Sequence, residues 1–258
     1  MASDPPAEIG IDITDDHVAT VEIRRPPNNF FSLGMLAALA DALDDLADED
    51  DVRAVVLCSQ GKHFCAGADF SDRPAPSETR TRHIYDEAAR LFRQPLPIVA
   101  AIQGAAIGGG LGLAMAADFR IAAPAARMSA NFARLGFHQG FALSVTLPRV
   151  LGQQAAQEVL FTGKRYSGED ARRLGLVDRL VPRDELRSAA HAMAAEIAQS
   201  APLAVLSIRE TLRQGLAEEA VSAMARERSE QERLQLTDDW IEGTRAMAQR
   251  RPPRFTGR

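Results

Sequence analysis

Two runs of small residues, each placed directly after a short apolar stretch, constrain this chain more than any other feature. The first is Gly61-Lys62-His63-Phe64-Cys65-Ala66-Gly67-Ala68-Asp69-Phe70, which follows Ala54-Val55-Val56-Leu57. The second is Gly104-Ala105-Ala106-Ile107-Gly108-Gly109-Gly110-Leu111-Gly112, which follows Ile98-Val99-Ala100-Ala101-Ile102. Continuous apolar stretches of this length read as strands buried on both faces. Glycine and alanine at the strand exits let main-chain N–H groups approach a ligand with no side chain in the way. If the two turns face each other, they offer two fixed donors to one oxygen that gains negative charge during a reaction. Each turn alone is equally readable as a tight strand-to-helix connection, its glycines serving positive φ or close packing.

The 258 residues suit one domain, or one domain with a helical appendage, and a hydrophobic content of 46% is enough for a large core. Aromatic residues make up only 5% and the formal net charge is −5, which argues against nucleic-acid stacking surfaces and anionic membranes as partners. Cys58 and Cys65 form no CxxC pair and no His/Cys cluster, so no metal site is expected and a reduced intracellular setting fits. The first residues lack the basic and apolar regions of a signal peptide, and no apolar run is long enough to cross a bilayer. The chain therefore reads as cytoplasmic.

Ile9–Thr14 and Val18–Ile23 alternate around Asp15-Asp16 and predict a β-hairpin. Ser32 is placed to cap a helix carrying Leu36, Leu39, Leu43 and Leu46. Residues 73–81 read as a mobile loop, followed by a helix over 82–92. Phe119–Ala122 and Val177–Val181 read as strands, and Ser167-Gly168-Glu169-Asp170 as a capping box. Beyond about residue 143 the pattern is mostly helical. An α/β core with a helical C-terminal region follows, with the boundary placed between 1–195 and 196–258.

At this point the chain resembles the crotonase superfamily, the enoyl-CoA hydratase/isomerase family. The resemblance rests on Arg25-Pro26 with Asn29, Phe64–Asp69, Pro97–Gly112, Ala117–Ala122, Leu135-Gly136, Thr162-Gly163, Ala171–Val177 with Val181-Pro182, and Pro253-Arg254-Phe255-Thr256-Gly257, in that order. It implies a spiral of ββα turns with a helical trimerisation region, assembled as a homotrimer or a dimer of trimers. It implies an acyl-CoA thioester as partner, with coenzyme A as the substrate carrier and no tightly bound cofactor. The amides of Ala68 and Gly109 would form the oxyanion hole, and the carbonyls of Ala66 and Phe70 would hold the adenine. Arg24, Arg25 and Lys62 lie where relatives contact the CoA phosphates; as solvated strand ends they read equally well.

The chain departs from the family at both hydratase glutamates. Gly112 and Phe132 stand at those positions, and no Asp or Glu lies between Asp118 and Glu158. The aspartate of the family's aroyl-CoA dehalogenases is missing near Gly140 as well. Efficient two-carboxylate hydration is therefore not expected. Isomerisation, decarboxylation, thioester cleavage, or binding without turnover remain open. His138 is the leading proton-transfer candidate, with Tyr85 and His83 as further polar groups of the acyl pocket and Asp86 and Glu87 behind them. Gly112 and Phe132 are expected in its wall.

Overall fold

The computed structural model describes residues 8–69 and 82–258. The loop expected over 73–81 and the position of Phe70 lie outside the described residues.

A six-stranded sheet runs in the order β1-β2-β3-β4-β6-β9. Its strands are β1 (Ile9–Ile13), β2 (Val18–Ile23), β3 (Ala54–Ser59), β4 (Ile98–Ile102), β6 (Phe119–Ala122) and β9 (Arg179–Leu180). The β1–β2 pair is antiparallel, as the hairpin pattern requires, and the remaining pairs are parallel. β3 shows why its sequence does not alternate. Val55 and Leu57 enter the main core, while Ala54, Val56 and Cys58 pack on the opposite side, against Leu186, Ala190 and Ala194 of α6 (Leu186–Ala198). Both faces are covered, so both must be apolar.

A smaller sheet, β5-β7-β8, consists of Ala105–Ile107, Arg127–Ser129 and Tyr166–Ser167. Strands of two or three residues leave no readable alternation, and all three escaped the sequence reading. The strand expected over Val177–Val181 is only the two residues of β9.

On the main-core side, α1 (Leu33–Ala47) buries Leu36, Leu39, Leu43 and Leu46, and Ser32 Oγ accepts the Met35 N–H at 3.1 Å as its cap. Such a cap contributes about 1 kcal/mol. α2 is Ile84–Arg93, beginning two residues later than expected because His83 takes the cap position. α3 (Gly109–Ala116) follows the second glycine turn, and seven of its eight residues, Gly110 through Ala116, are buried. α4 (Leu143–Thr162) and α5 (Gly168–Leu174) come next, the latter opening on the expected Ser167/Asp170 capping box.

After α6 the chain is helical: α7 (Pro202–Leu212), α8 (Leu216–Leu234) and α9 (Asp238–Ala248). Asp118 ties this region to the sheet, accepting the Ile98 N–H at 2.8 Å and pairing with Arg209 of α7 and with Arg213 just after it. α7 buries none of its residues; Leu203 and Leu212 are 80% and 77% exposed. No helix among the described residues is long and apolar enough to cross a membrane.

Candidate active site

The two glycine turns run side by side. Cys65 and Ala106 form an isolated parallel bridge, with Cys65 N–H donating to Ala105 O at 2.9 Å and Ile107 N–H to Cys65 O at 3.0 Å. On its other edge the first turn pairs with Phe31: Phe31 N–H donates to Gly67 O at 3.0 Å and Asp69 N–H to Phe31 O at 2.8 Å. Gly67, at φ +116°, reverses the strand's alternation between these two edges. Because a trans peptide points its C=O and N–H in opposite directions, a Gly67 carbonyl aimed at Phe31 sends the Ala68 N–H away from Phe31, toward the β5–α3 side.

The second turn does the same through a helix start. Gly108 holds φ +58°, and its carbonyl accepts from Leu111 and Gly112 at 3.0 and 3.2 Å. The Gly109 N–H on the same peptide therefore points out of the α3 N-terminus, where unpaired amides and the helix dipole favour negative charge. Close approach of the two turns requires glycine at 110, since a Cβ there would lie 2.1 Å from the Cys65 carbonyl oxygen. Ala68 and Gly109 each lie three residues beyond the bridged pair Cys65–Ala106. Neither amide has a hydrogen-bond acceptor among the described residues.

Both line one cavity of about 1000 Å³, together with Ala66, Phe132 and Tyr85. Other expected residues are not in its wall. His138 is half-buried, and its Nδ1 lies 2.8 Å from the Gln139 carbonyl. His138, expected to line the acyl pocket, is not among the residues that border this cavity, whereas Phe137 and Gly140 are. Gly112 is also excluded, because Phe141 packs directly against it. Lys62 is exposed and outside the cavity. Arg25 is engaged within the chain, donating to Phe30 O at 2.7 Å and pairing with Glu8 and Asp69 at 3.0 and 3.3 Å.

The polar side chains that reach the cavity are largely committed. His83 Nδ1 accepts the Tyr85 N–H at 3.1 Å, and Asp86 completes this capping box by accepting the His83 N–H at 2.6 Å. Burial holds the His83 imidazole pKa below its ordinary value, which favours the neutral ring that an accepting Nδ1 requires. Tyr85 donates its hydroxyl to Gln231 Oε1 at 2.9 Å, and burial raises its pKa, so the phenol stays protonated. His63 Nδ1 accepts the Ala105 N–H at 3.1 Å. Glu232 pairs with Arg228 at 2.8 Å. Burial pushes the Cys65 thiol up to about 12, which removes it as a nucleophile at neutral pH. Glu87 is fully buried and paired with Arg82 and Arg90, outside the cavity wall.

Sequence reasoning missed several wall residues. Phe31 and Phe141 meet edge to face with centroids 5.5 Å apart. Gln231 of α8 donates to the carbonyls of His138 and Gln139 at 3.0 and 3.3 Å while accepting from Tyr85. Exposed Arg127 and Arg165 stand at the rim. A cluster of aromatic positions downstream of the second glycine turn was the available signal for Phe141; nothing in the sequence links Gln231 to residues more than ninety positions earlier.

A sequence model of enoyl-CoA hydratase/isomerase matches residues 14–258. The chain belongs to the enoyl-CoA hydratase/isomerase family. It is 37% identical to mouse enoyl-CoA hydratase domain-containing protein 2, mitochondrial, over 90% of this chain and 82% of that one. With mouse mitochondrial methylglutaconyl-CoA hydratase it shares 31% identity, over 89% and 76% of the two chains. The crystal structure of enoyl-CoA hydratase/isomerase from Pseudoalteromonas atlantica T6c superposes with a TM-score of 0.88 at 29% identity, covering 96% of this chain and all of that one. The α/β architecture is thus the crotonase-like fold of this family.

Proposed function

We propose that this protein is an acyl-CoA-processing enzyme that stabilises a thioester enolate with the main-chain amides of Ala68 and Gly109. The observation that carries the reading is a pair of amides with no acceptor among the described residues, at matching offsets from one bridge and opening on one cavity. An enolate concentrates charge on one oxygen, and preorganised donors in a site lined by phenyl rings interact with it more strongly than water would. In this reading the Ala66 and Phe70 carbonyls receive the adenine amino group. Arg165, and Arg127, which donates to the Pro124 and Ala126 carbonyls through one nitrogen only, suit the CoA phosphates better than Arg25, whose guanidinium is already shared by three partners.

The chemistry supported is one that needs no paired carboxylates: isomerisation, decarboxylation or thioester cleavage. Asp69, Asp86 and Glu232 reach the cavity but are held by Arg25, His83 and Arg228. His138 has no part in this version of the site. A second reading, acyl-CoA binding without turnover, is favoured by the apolar character of both hydratase positions: Phe132 is 9% exposed and Gly112 is covered by Phe141. The exposed apolar residues of α7 suit contact with further copies of the chain, and this supports the reading of 196–258 as an oligomerisation region.

Calorimetric titration with acetyl-CoA and crotonyl-CoA, followed by mass spectrometry of an acyl-CoA panel, tests both readings. Turnover of any member without rapid crotonyl-CoA hydration supports the enzyme. Binding with no product from the whole panel selects the second reading. Rapid hydration of crotonyl-CoA refutes the carboxylate-free chemistry, and absence of binding refutes both.

A further inference from the structure

Gly112 and Phe141 occupy one volume between them. A Cβ built on Gly112 would lie 2.4 Å from Phe141 Cβ and 2.8 Å from its Cγ, far inside any real contact distance. The same ring reaches the start of α3: a Cβ on Gly109 would meet Phe141 Cδ2 at 3.6 Å and Phe31 Cζ at 2.5 Å. Phe141 is 1% exposed and is packed edge to face between Phe31 and Phe92, with centroids 5.5 and 6.5 Å away. It is therefore a fixed wall beside the Gly109 amide and has little room to swing aside.

The main chain carrying the ring is held in an unusual conformation. Phe141 and Ala142 both sit in the left-handed region, at φ +60° and +56°. For residues with a Cβ this is disfavoured and must be fixed by surrounding contacts. The contacts come from Glu227 on α8, which is 1% exposed. Its carboxylate accepts the Ala142 N–H at 2.9 Å, the Ser144 N–H at 3.1 Å and the Ser144 hydroxyl at 2.6 Å. A buried acceptor that engages three donors at once locks the segment on either side of Ala142, and so locks the ring.

From this geometry we propose that Phe141 is a specificity-determining residue: its clamped ring closes the cavity beside Gly109 and admits acyl groups that are unbranched at the carbon next to the thioester. The proposal rests on the acyl-CoA reading above. A carbonyl held by the Gly109 amide places its α-carbon within one side-chain length of that amide, where an added methyl group would meet the ring. Packed aromatic walls reject extra volume because neighbouring side chains cannot yield without leaving their own rotamers.

The test measures calorimetric affinities of the wild type, Phe141→Leu and Phe141→Ala for butanoyl-CoA and 2-methylbutanoyl-CoA, with thermal melts to establish folding. The wild type is expected to prefer the straight chain by about tenfold or more. Phe141→Ala is expected to narrow that preference to about threefold or less, and Phe141→Leu, which keeps most of the buried apolar surface, to give an intermediate ratio. Equal wild-type affinities for the two ligands would overturn the proposal while leaving the acyl-CoA reading intact. So would an unchanged ratio in a folded Phe141→Leu protein. If the wild type binds neither ligand, the acyl-CoA reading falls and this proposal falls with it.

Discussion

On the α3 side of the cavity, the Ala68 and Gly109 amides have no acceptor among the described residues; on the α2–α8 side, the polar side chains are already engaged. His83 caps α2, Tyr85 is bonded to Gln231, and Gln231 holds the carbonyls of the 138–139 segment. One side is prepared for a ligand and the other is prepared for itself. The difference teaches that where a fold supplies main-chain donors, chemically versatile side chains nearby can still be structural. Free hydrogen-bonding capacity separates the two cases, because a group that already serves the fold must break a bond before it serves a substrate.

The largest effect should follow from removing an unengaged donor. Proline at position 68 deletes an N–H that the Phe31 pairing does not use, since that pairing runs through Gly67 O and Asp69 N. Ala68→Pro should lower turnover about 10²–10³-fold, the loss typical for one oxyanion donor. CoA affinity by calorimetry should change about threefold or less, because CoA alone brings no carbonyl to the hole. A turnover loss smaller than about tenfold in a folded variant would move the chemistry away from this amide.

Next comes an attempt to rebuild the missing acid. Gly112→Glu places a side chain where Phe141 stands, so the folded state should lose about 1–3 kcal/mol, read from denaturant unfolding. Crotonyl-CoA hydration should stay absent, even when Phe132→Glu is combined with it, until Phe141 is also reduced to Ala. Hydration in the double variant with Phe141 intact would show that the ring yields.

These outcomes bear on how much the sequence discloses. The hairpin, the Ser32 cap, the Ser167/Asp170 capping box and the two-faced burial of β3 were legible because each is a local or periodic signal. The glycine turns were legible because they combine small residues with preceding apolar strands. The direction of His138 was not, since position along an irregular segment says nothing of which way a ring points. An aromatic cluster marked Phe141, but not where its ring would stand. Its placement depends on two successive left-handed residues and on Glu227, 85 positions beyond Ala142.

A smaller effect should separate a capping histidine from a catalytic one. His83 accepts a backbone N–H through Nδ1, so the cap needs the neutral ring. Burial lowers its folded-state pKa below the ordinary value of 6.5, and the unfolded chain then binds the proton more readily. The stabilisation is present above 6.5 and is lost as pH falls through that value toward the folded-state pKa. His83→Ala should cost about 1 kcal/mol at neutral pH. His83→Asn, which keeps a cap acceptor that does not titrate, should retain stability and lose this part of the acid dependence. A catalytic His83 would instead lose turnover in the Asn variant with stability unchanged.

The smallest effect is expected at His138, and it sharpens the contrast between the two sides. Its Nδ1 is directed at the Gln139 carbonyl, and its own carbonyl accepts from Gln231, so the residue serves the segment that carries Phe137 to Phe141. A general acid or base commonly contributes 10²–10⁴-fold, and its replacement by alanine would be unmistakable. With the ring outside the cavity wall, His138→Ala should leave turnover within about threefold of wild type. The comparison with Ala68→Pro carries the weight. A large loss from the histidine and a small one from the amide would reverse the assignment of roles and return proton transfer to a side chain that reaches the substrate only after the 138–142 segment rearranges.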